Sequence, residues 1–600
     1  MRVNVFILAA YLVLAGCRQM KDTNPTYSPQ NNSSPSGRMV VYQLMVRLFG
    51  NIKTNNVPYG TLQQNGAGKF SDITDKALSE LKDLGATHIW YTGVIAHALL
   101  TDYTAYGIPL DNAEVVKGRA GSPYAIKDYY DVNPDLADSV EHRLSEFDAL
   151  IERTHRAGLK AIIDFVPNHV ARAYRAHARP KDVIDLGEQD DRSIRFSPNN
   201  NFYYLPGEPF VPPSTHRALQ QMETDPANNR HYQENPAKAT GNDHFSPRPG
   251  IHDWYETVKL NYGVDIHESK NYFDPTPDTW KKMKDILLFW AGRGVDGFRC
   301  DMAEMVPVEF WQWAIPQVKA VYPDIVFIAE IYNPAQYGNY ITNGGFDYLY
   351  DKVQLYDTLR LLIEGKGDTR DIESIQSDLA DIGDWLVHFM ENHDEQRIAS
   401  RFFAGNPWKA VPAMVISATL DRGAIMIYFG QEVGEPGAGA EGFQGDDGRT
   451  TIFDYWGVPE HQKWMNRGGF DGGGLSPDQN RLRQFYKTLL NLVNNQMALG
   501  KGDFYPLTEY NVKMHNFSKD LFAALRVYGQ EKLLIVAGFN GHSQSVRIDI
   551  PEEVAKKVGL APSQEYNLVE LLMDGEEVRI KDLSIQLELP PFGGYIFKIE

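Results

Sequence analysis

What most constrains this chain is a repeated alternation of β-rich and helical stretches. Met39 to Leu48 is apolar and rich in strand formers. Thr87 to Tyr91, Lys160 to Val166, Val295 to Asp301, Ile325 to Ile331, Phe346 to Tyr350, Trp385 to Met390 and Ala424 to Phe429 follow the same pattern. Between them, Ile73, Ala77, Leu81 and Leu84 mark one face of a helix over Asp72 to Leu84 that Gly85 stops. Val140, Leu144, Phe147, Ile151 and Thr154 mark a second helix ending near Gly158, and Trp280, Met283, Ile286 and Trp290 a third. Strands that alternate with helices pair in parallel, so eight of them predict an α/β fold closed as a (β/α)8 TIM barrel. Periodicity alone also admits an open doubly wound sheet.

Two regions break the alternation. Residues 170–262 are rich in Pro, Asn and Gly and too long for an ordinary strand-to-helix loop, which predicts a subdomain inserted after strand 3 over the active face. After a helix at about Leu482 to Val493, the tail turns to short β-rich runs: Leu521 to Tyr528, Leu533 to Phe539, Val546 to Ile550, Tyr566 to Leu572 and Tyr595 to Ile599. These predict a C-terminal antiparallel β domain over 501–600, with the barrel and its insertion over 39–500.

The N-terminus reads as an address. Val5 to Leu14 is apolar, too short to span a bilayer and the right length for the core of a signal peptide. It ends in Leu14-Ala15-Gly16-Cys17, which resembles the bacterial lipoprotein signal, in which the cysteine is lipidated and becomes the mature N-terminus. Residues 18–38, rich in Pro, Asn and Ser, read as a flexible tether. The protein is therefore expected to be exported and held on the bacterial cell envelope, periplasmic or surface-facing, by an N-terminal lipid. Cys300 is then the one other cysteine, so no disulfide framework is available and Cys300 reads as a small core residue. A formal net charge of -19 argues against a nucleic-acid surface, which needs clustered Lys and Arg.

In a barrel of this kind the chemistry lies at the C-terminal ends of the strands. There the sequence places Asp164-Phe-Val-Pro-Asn168-His169, Arg299-Cys-Asp301, Ala329-Glu330 and Glu391-Asn392-His393-Asp394. Arg299 and Asp301, two apart on a strand, point to the same side. The guanidinium is expected to favour ionised Asp301 and lower its pKa, although the pair alone also reads as a structural ion pair. Three carboxylates with two histidines and one arginine on one rim suit glycosyl transfer, in which one carboxylate attacks the anomeric carbon and a protonated one serves the departing oxygen.

The blocks DFVPNH, GFRCD, IAEIY and ENHDE resemble, in order and spacing, the signature regions of the α-amylase family of retaining α-glucan-active enzymes. Tyr124-Ala-Ile-Lys-Asp128-Tyr129 and Ile427-Tyr428-Phe429-Gly430-Gln431-Glu432 are similar to two weaker blocks of that family, and the resemblance spans roughly residues 39–500. It implies the barrel, the insertion after strand 3 and a C-terminal β-sandwich. It also implies Asp301 as nucleophile, Glu330 as general acid/base and Asp394 as the carboxylate that grips sugar hydroxyls. Arg299, His169 and His393 would bind or orient at the cleavage subsite, Tyr124 would stack beneath the sugar, and Asp164 would support Arg299. Asn168 matches a position that often binds calcium in the family, which implies a structural calcium as the one cofactor; the chemistry itself requires none.

The implied substrate is an α-1,4-linked glucan or maltooligosaccharide, and the implied route a covalent glycosyl-enzyme. Hydrolase, transglycosylase and glucoside isomerase differ only in whether water or a sugar intercepts it. A noncatalytic glycan-binding lipoprotein on the same fold would be marked by loss of a carboxylate at 301, 330 or 394, and all three are present. The sequence departs from the family at Glu304 and Met305, where many starch-cleaving members carry Lys-His. Asp446-Asp447-Gly448-Arg449 and Trp456 form a loop that either borders the cleft or is simply solvated.

Overall fold

Eight parallel strands close into a barrel in which each pairs with its neighbour in sequence and the last pairs with the first. They are β1 (Val40–Met45), β2 (His88–Thr92), β3 (Lys160–Phe165), β4 (Gly297–Cys300), β5 (Val326–Ala329), β6 (Tyr348–Tyr350), β7 (Leu386–His388) and β8 (Ala424–Tyr428). The open doubly wound alternative is thereby excluded. The computed structural model describes residues 35–214, 231–515, 517–573 and 578–600. The stretches expected to form the signal sequence and the tether, with Cys17, lie outside them as far as residue 34. Among the described residues no helix is long and apolar enough to cross a membrane.

The helices wrap the barrel: α1 (Asp75–Leu84), α2 (Arg143–Arg156), α3 (Asp278–Ala291), α4 (Val308–Val321), α5 (Tyr337–Thr342), α6 (Asp357–Ile363), α7 (Arg370–Asp378), α8 (Val411–Thr419) and α9 (Pro477–Asn495). Local chemistry sets their ends. Thr74 caps α1 by accepting the Ala77 N–H, and Gly85 stops it in the left-handed region at φ 119°. Ser476 and Gln479 form a reciprocal capping box at the start of α9. The α1 and α9 faces that meet the barrel are apolar, as their spacing predicts.

Strand β4 illustrates how the sequence aims its polar groups. Arg299 lies opposite Asp164 of β3 and Ile328 of β5. Phe298 packs edge-on against Phe165 at 6.1 Å, and Phe165 against Trp311 of α4 at 6.3 Å. With side chains alternating, Phe298 and Cys300 face the helices, and Arg299 and Asp301 face the barrel axis. Cys300 is fully buried, the core residue it was read as.

After β3 the chain leaves the barrel through a ribbon, His169–Ala171, and returns through its antiparallel partner, Thr257–Lys259. Two further short ribbons lie in or beside this insertion, Tyr204–Leu205 with Ala237–Lys238 and Val264–Asp265 with Lys270–Asn271. The tail forms β9 (Asp503–Pro506), β10 (Leu521–Tyr528), β11 (Glu531–Gly538), β12 (Gln544–Asp549), β13 (Tyr566–Glu570), β14 (Val578–Ile580), β15 (Ser584–Leu589) and β16 (Gly594–Ile599). Six make one antiparallel sheet in the order β9-β10-β11-β16-β13-β14, and β12 pairs with β15. Leu525, Leu534 and Phe597 from the larger sheet share one core with Val546, Ile548 and Ile585 from the smaller, which makes a β-sandwich.

Some boundaries differ from the sequence reading. Trp385 belongs to a single turn, Gly383–Trp385, and is 41% exposed, so β7 is shorter than its apolar run. The tether ends before residue 38, because Ser36 and Arg38 are buried and Arg38 donates to the carbonyls of Ala418 and Gly423. Tyr124 lies outside barrel strand β2, in the link between β2 and α2, just ahead of an antiparallel ribbon of Ile126–Val132 with Ile95–His97.

Candidate active site

One guanidinium organises the site. Arg299 has no solvent exposure; its Nη1 lies 2.9 Å from Asp301 Oδ1 and 3.5 Å from Asp164 Oδ1, and its Nη2 lies 2.7 Å from Glu330 Oε1. The rings of Trp90, Tyr124 and Tyr350 surround its carbon at 5.2, 5.3 and 5.4 Å. A buried cation is tolerable only with such partners. Asp164 is itself held by Trp90 Nε1 at 3.1 Å and by the Tyr124 hydroxyl at 3.4 Å.

Asp301 ends β4, and the next residue, Met302, takes left-handed backbone angles at φ 44°. That conformation costs a non-glycine residue about 1–2 kcal/mol. It accompanies a bond from the Met302 N–H to Glu330 Oε2 at 2.7 Å. Glu330 Oε1 also accepts from the Tyr332 hydroxyl at 2.9 Å. Asp301 Oδ2, by contrast, has no hydrogen-bond partner among the described residues, and His169 Nε2 stands 4.0 Å from it.

Three carboxylates around one guanidinium leave the cluster short of positive charge. Burial, and then the Glu330 carboxylate, push the Asp301 carboxyl well above its usual range, with Arg299 working in the opposite direction. Burial raises Asp164 as well. Arg299 does act to lower the Asp301 pKa, as expected, but burial and Glu330 outweigh it. Burial is the larger cause, and Glu330, which shares the same guanidinium, adds to it.

Asp394 behaves differently. Burial acts to raise it, but His393 at 3.0 Å, and then Arg299 and Arg449, outweigh burial and hold it below the usual carboxylate range. His393 Nδ1 lies 2.8 Å from Gln43 Nε2, and its Nε2 faces Asp394 and the Tyr124 oxygen, the latter at 2.5 Å. Asn392 Oδ1 accepts the N–H groups of Asp394 and Glu395, and Arg449 Nε donates to the Asp394 carbonyl at 2.6 Å. Burial, and then Lys259 and Lys117, bring His169 down to about 3, so its ring is neutral throughout the working range.

Asp301, Glu330, Asp394, Tyr124 and His169 line a single open cavity of about 340 Å³, together with Trp254 and Tyr332. Arg299, His393 and Asp164 lie behind that surface, buried. The structure thus brings the polar residues singled out in the sequence to one place, on a support the sequence did not show. Trp90, Gln43, Tyr350 and Met302 carried no visible signal. Tyr332 did, since it stands two residues beyond Glu330. Of the two readings of the 446–456 loop, the structure has Ile452 and Phe453 lining the cavity, Asp446 to Arg449 outside its lining, and Trp456 packed away from solvent. Glu304 accepts the N–H groups of Tyr332 and Asn333 at 3.1 Å each, so it props the Tyr332 segment.

The surroundings of Asn168 do not fit a metal ion. Its Oδ1 accepts from Lys259 Nζ at 2.5 Å, and the same ammonium lies 2.9 Å from Asp243 Oδ1 and 3.2 Å from the Met305 carbonyl oxygen. An ammonium already provides the positive charge that calcium would bring there. Among the described residues, no group of three or more His, Cys, Asp or Glu side chains is arranged to hold a metal.

A family model described as the catalytic domain of alpha amylase matches residues 43–454. Neopullulanase 2 of Thermoactinomyces vulgaris is 23% identical over 574 residues, covering 93% of this chain and 77% of that one. A cyclomaltodextrin glucanotransferase of Geobacillus stearothermophilus is 25% identical over 420 residues, covering 66% and 49%. The fold is shared with an α-amylase from Geobacillus thermoleovorans complexed with acarbose, at a TM-score of 0.58 and 19% identity, covering 94% of this chain and 98% of that one.

Proposed function

Because the chain belongs to the α-amylase family and is an amylase-type glycoside hydrolase, we propose that it cleaves α-1,4-glucosidic bonds in starch-derived α-glucans or maltooligosaccharides with retention, through a covalent glycosyl-enzyme. The observation that carries this reading is the shared guanidinium: Arg299 holds Asp301 and Glu330 at 2.9 and 2.7 Å on the edge of one cavity. Two carboxyl groups on adjacent nitrogens of one guanidinium can reach the separation of about 5 Å at which the second attacks directly.

The steps follow from the contacts. A sugar ring lies over Tyr124, with Asp394 accepting from its hydroxyls and neutral His169 beside it. The carboxyl proton of Glu330 passes to the departing glycosidic oxygen. Asp301 Oδ2, which no protein donor occupies, attacks the anomeric carbon as the bond to the leaving oxygen breaks. Glu330, now ionised, takes a proton from an incoming water, and the oxygen of that water displaces Asp301.

A second reading, transfer to a sugar acceptor in place of water, is favoured by the similarity to a glucanotransferase and by Tyr332 bordering the cavity beside Glu330. Maltoheptaose incubated with the protein decides between them. Hydrolysis yields only shorter products, transfer yields some longer than the substrate, and unchanged maltoheptaose contradicts both. We also propose export and an N-terminal lipid on Cys17. Partition of the mature protein into detergent, lost on Cys17→Ala, is the expected result.

A further inference from the structure

The cavity that holds Asp301 has an ion pair in its wall that the proposed steps do not use. Lys117 Nζ lies 2.8 Å from Glu256 Oε1. Lys117 belongs to the link between β2 and α2, Glu256 to the inserted segment, and both line the cavity with Trp254 and Phe453. The two walls are therefore tied directly to each other. Neither is free to drift. The carbonyl of Glu256 accepts the Arg172 N–H at 2.8 Å, and Ala120 N–H donates to the Phe453 carbonyl at 2.9 Å. Arg119 N–H donates to Asp454 Oδ1 at 2.8 Å.

The position of the pair relative to Asp301 gives it meaning. Glu256 immediately precedes the ribbon strand that pairs with His169–Ala171. Ser122, in the loop that carries Lys117, accepts the Tyr124 N–H at 3.3 Å. Lys117 is also close enough to depress the His169 pKa. The pair thus stands on the Tyr124 and His169 side of Asp301. Glu330 and Tyr332, with Glu304 behind Tyr332, reach the same cavity from the end of β5.

We propose that the Lys117–Glu256 pair closes the donor end of the cleft, so that the enzyme attacks α-glucans from their non-reducing ends and releases a short product of fixed length. This rests on the reading above, in which the sugar bonded to Asp301 lies over Tyr124. Whatever is attached to the non-reducing side of that sugar runs towards the pair, and a polymer would have to pass between walls joined at 2.8 Å. The leaving side, past Glu330, carries the rest of the chain. Glu256 is buried and Lys117 only partly so. Glu256 therefore holds the ammonium in place, and its remaining N–H bonds are available to the hydroxyls of the terminal glucose.

The test uses two substrates, maltoheptaose with a fluorescent group on its reducing end and the same compound with its non-reducing end also blocked by a 4,6-O-acetal. At early times the wild-type protein is expected to give one labelled product from the first and to leave the blocked compound at least tenfold slower to react. Lys117→Ala is expected to give several labelled lengths and to cleave the blocked compound. Labelled products of many lengths from the wild type, or equal rates on both substrates, would overturn the wall while leaving the proposed activity intact. No cleavage of either substrate would overturn the proposed activity and this inference together.

Discussion

At the residue scale the decisive feature is that Arg299 serves Asp301 and Glu330 together. Asp301→Asn removes the attacking oxygen and also one charge from a crowded cluster. Turnover on maltooligosaccharides should fall by about 10⁴-fold or more, while Tm stays within about 2 °C of wild type or rises, as expected where a site is strained for function. A variant retaining near wild-type kcat would contradict the assignment. The direction of the Asp301 shift also fixes a pH dependence. Attack needs Asp301 ionised, and its carboxyl is raised by burial and by Glu330. As pH falls it therefore regains its proton earlier than an ordinary aspartate, whose pKa is about 3.9. The acid limb of kcat/KM should accordingly lie above about pH 4; a limb at or below that value would count against the account.

At the element scale, strands and helices were legible because each is written in local periodicity, and the strand-end acids because β4, β5 and the segment after β7 place them by alternation. The sign of the Asp301 shift was not legible, since it depends on burial of the folded site and then on Glu330 from a different strand. Nor was the partner of Asn168, because Lys259 reaches it only once the insertion has folded back through its ribbon. Lys259 thus joins the insertion to the turn after Asp301. Excess EDTA should leave the wild-type Tm unchanged to about 1 °C, and Lys259→Met should lower stability by roughly 1–3 kcal/mol, the cost of leaving the buried Asn168 oxygen without its donor. A fall of Tm in EDTA, reversed by calcium, would contradict this.

His388 on β7 supplies a second element-scale test. Burial opposes its charge, but Asp421 at 2.7 Å and Asp351 at 3.4 Å raise it to about 10. In the unfolded chain a histidine titrates near 6.5. Its contribution to stability is therefore complete below about pH 6.5 and is lost as pH rises towards 10. Denaturant midpoints should decline over that interval, and His388→Gln should flatten the decline. An unaltered profile in the variant would show that His388 is not its source.

At the scale of the whole molecule, two cores act as one body. Arg526 on β10 is buried and donates to the carbonyls of Thr419 and Leu420 at the end of α8 and of Leu499 and Gly502 at the start of the sandwich. The order of domains was visible in composition, but this joint was not, because one arginine among short β runs carries no mark of where its donors point. The same holds for Lys117 and Glu256, far apart in sequence and joined only across the cleft. The proposed function rests in the end on the covalent step at Asp301. Incubation with 5-fluoro-α-D-glucosyl fluoride, followed by proteolysis and mass spectrometry, tests that step directly. The account predicts one added 5-fluoroglucosyl group on the peptide containing Asp301, absent in Asp301→Asn; a label on another residue, or turnover of the reagent to a β-configured sugar with no label at all, would contradict it.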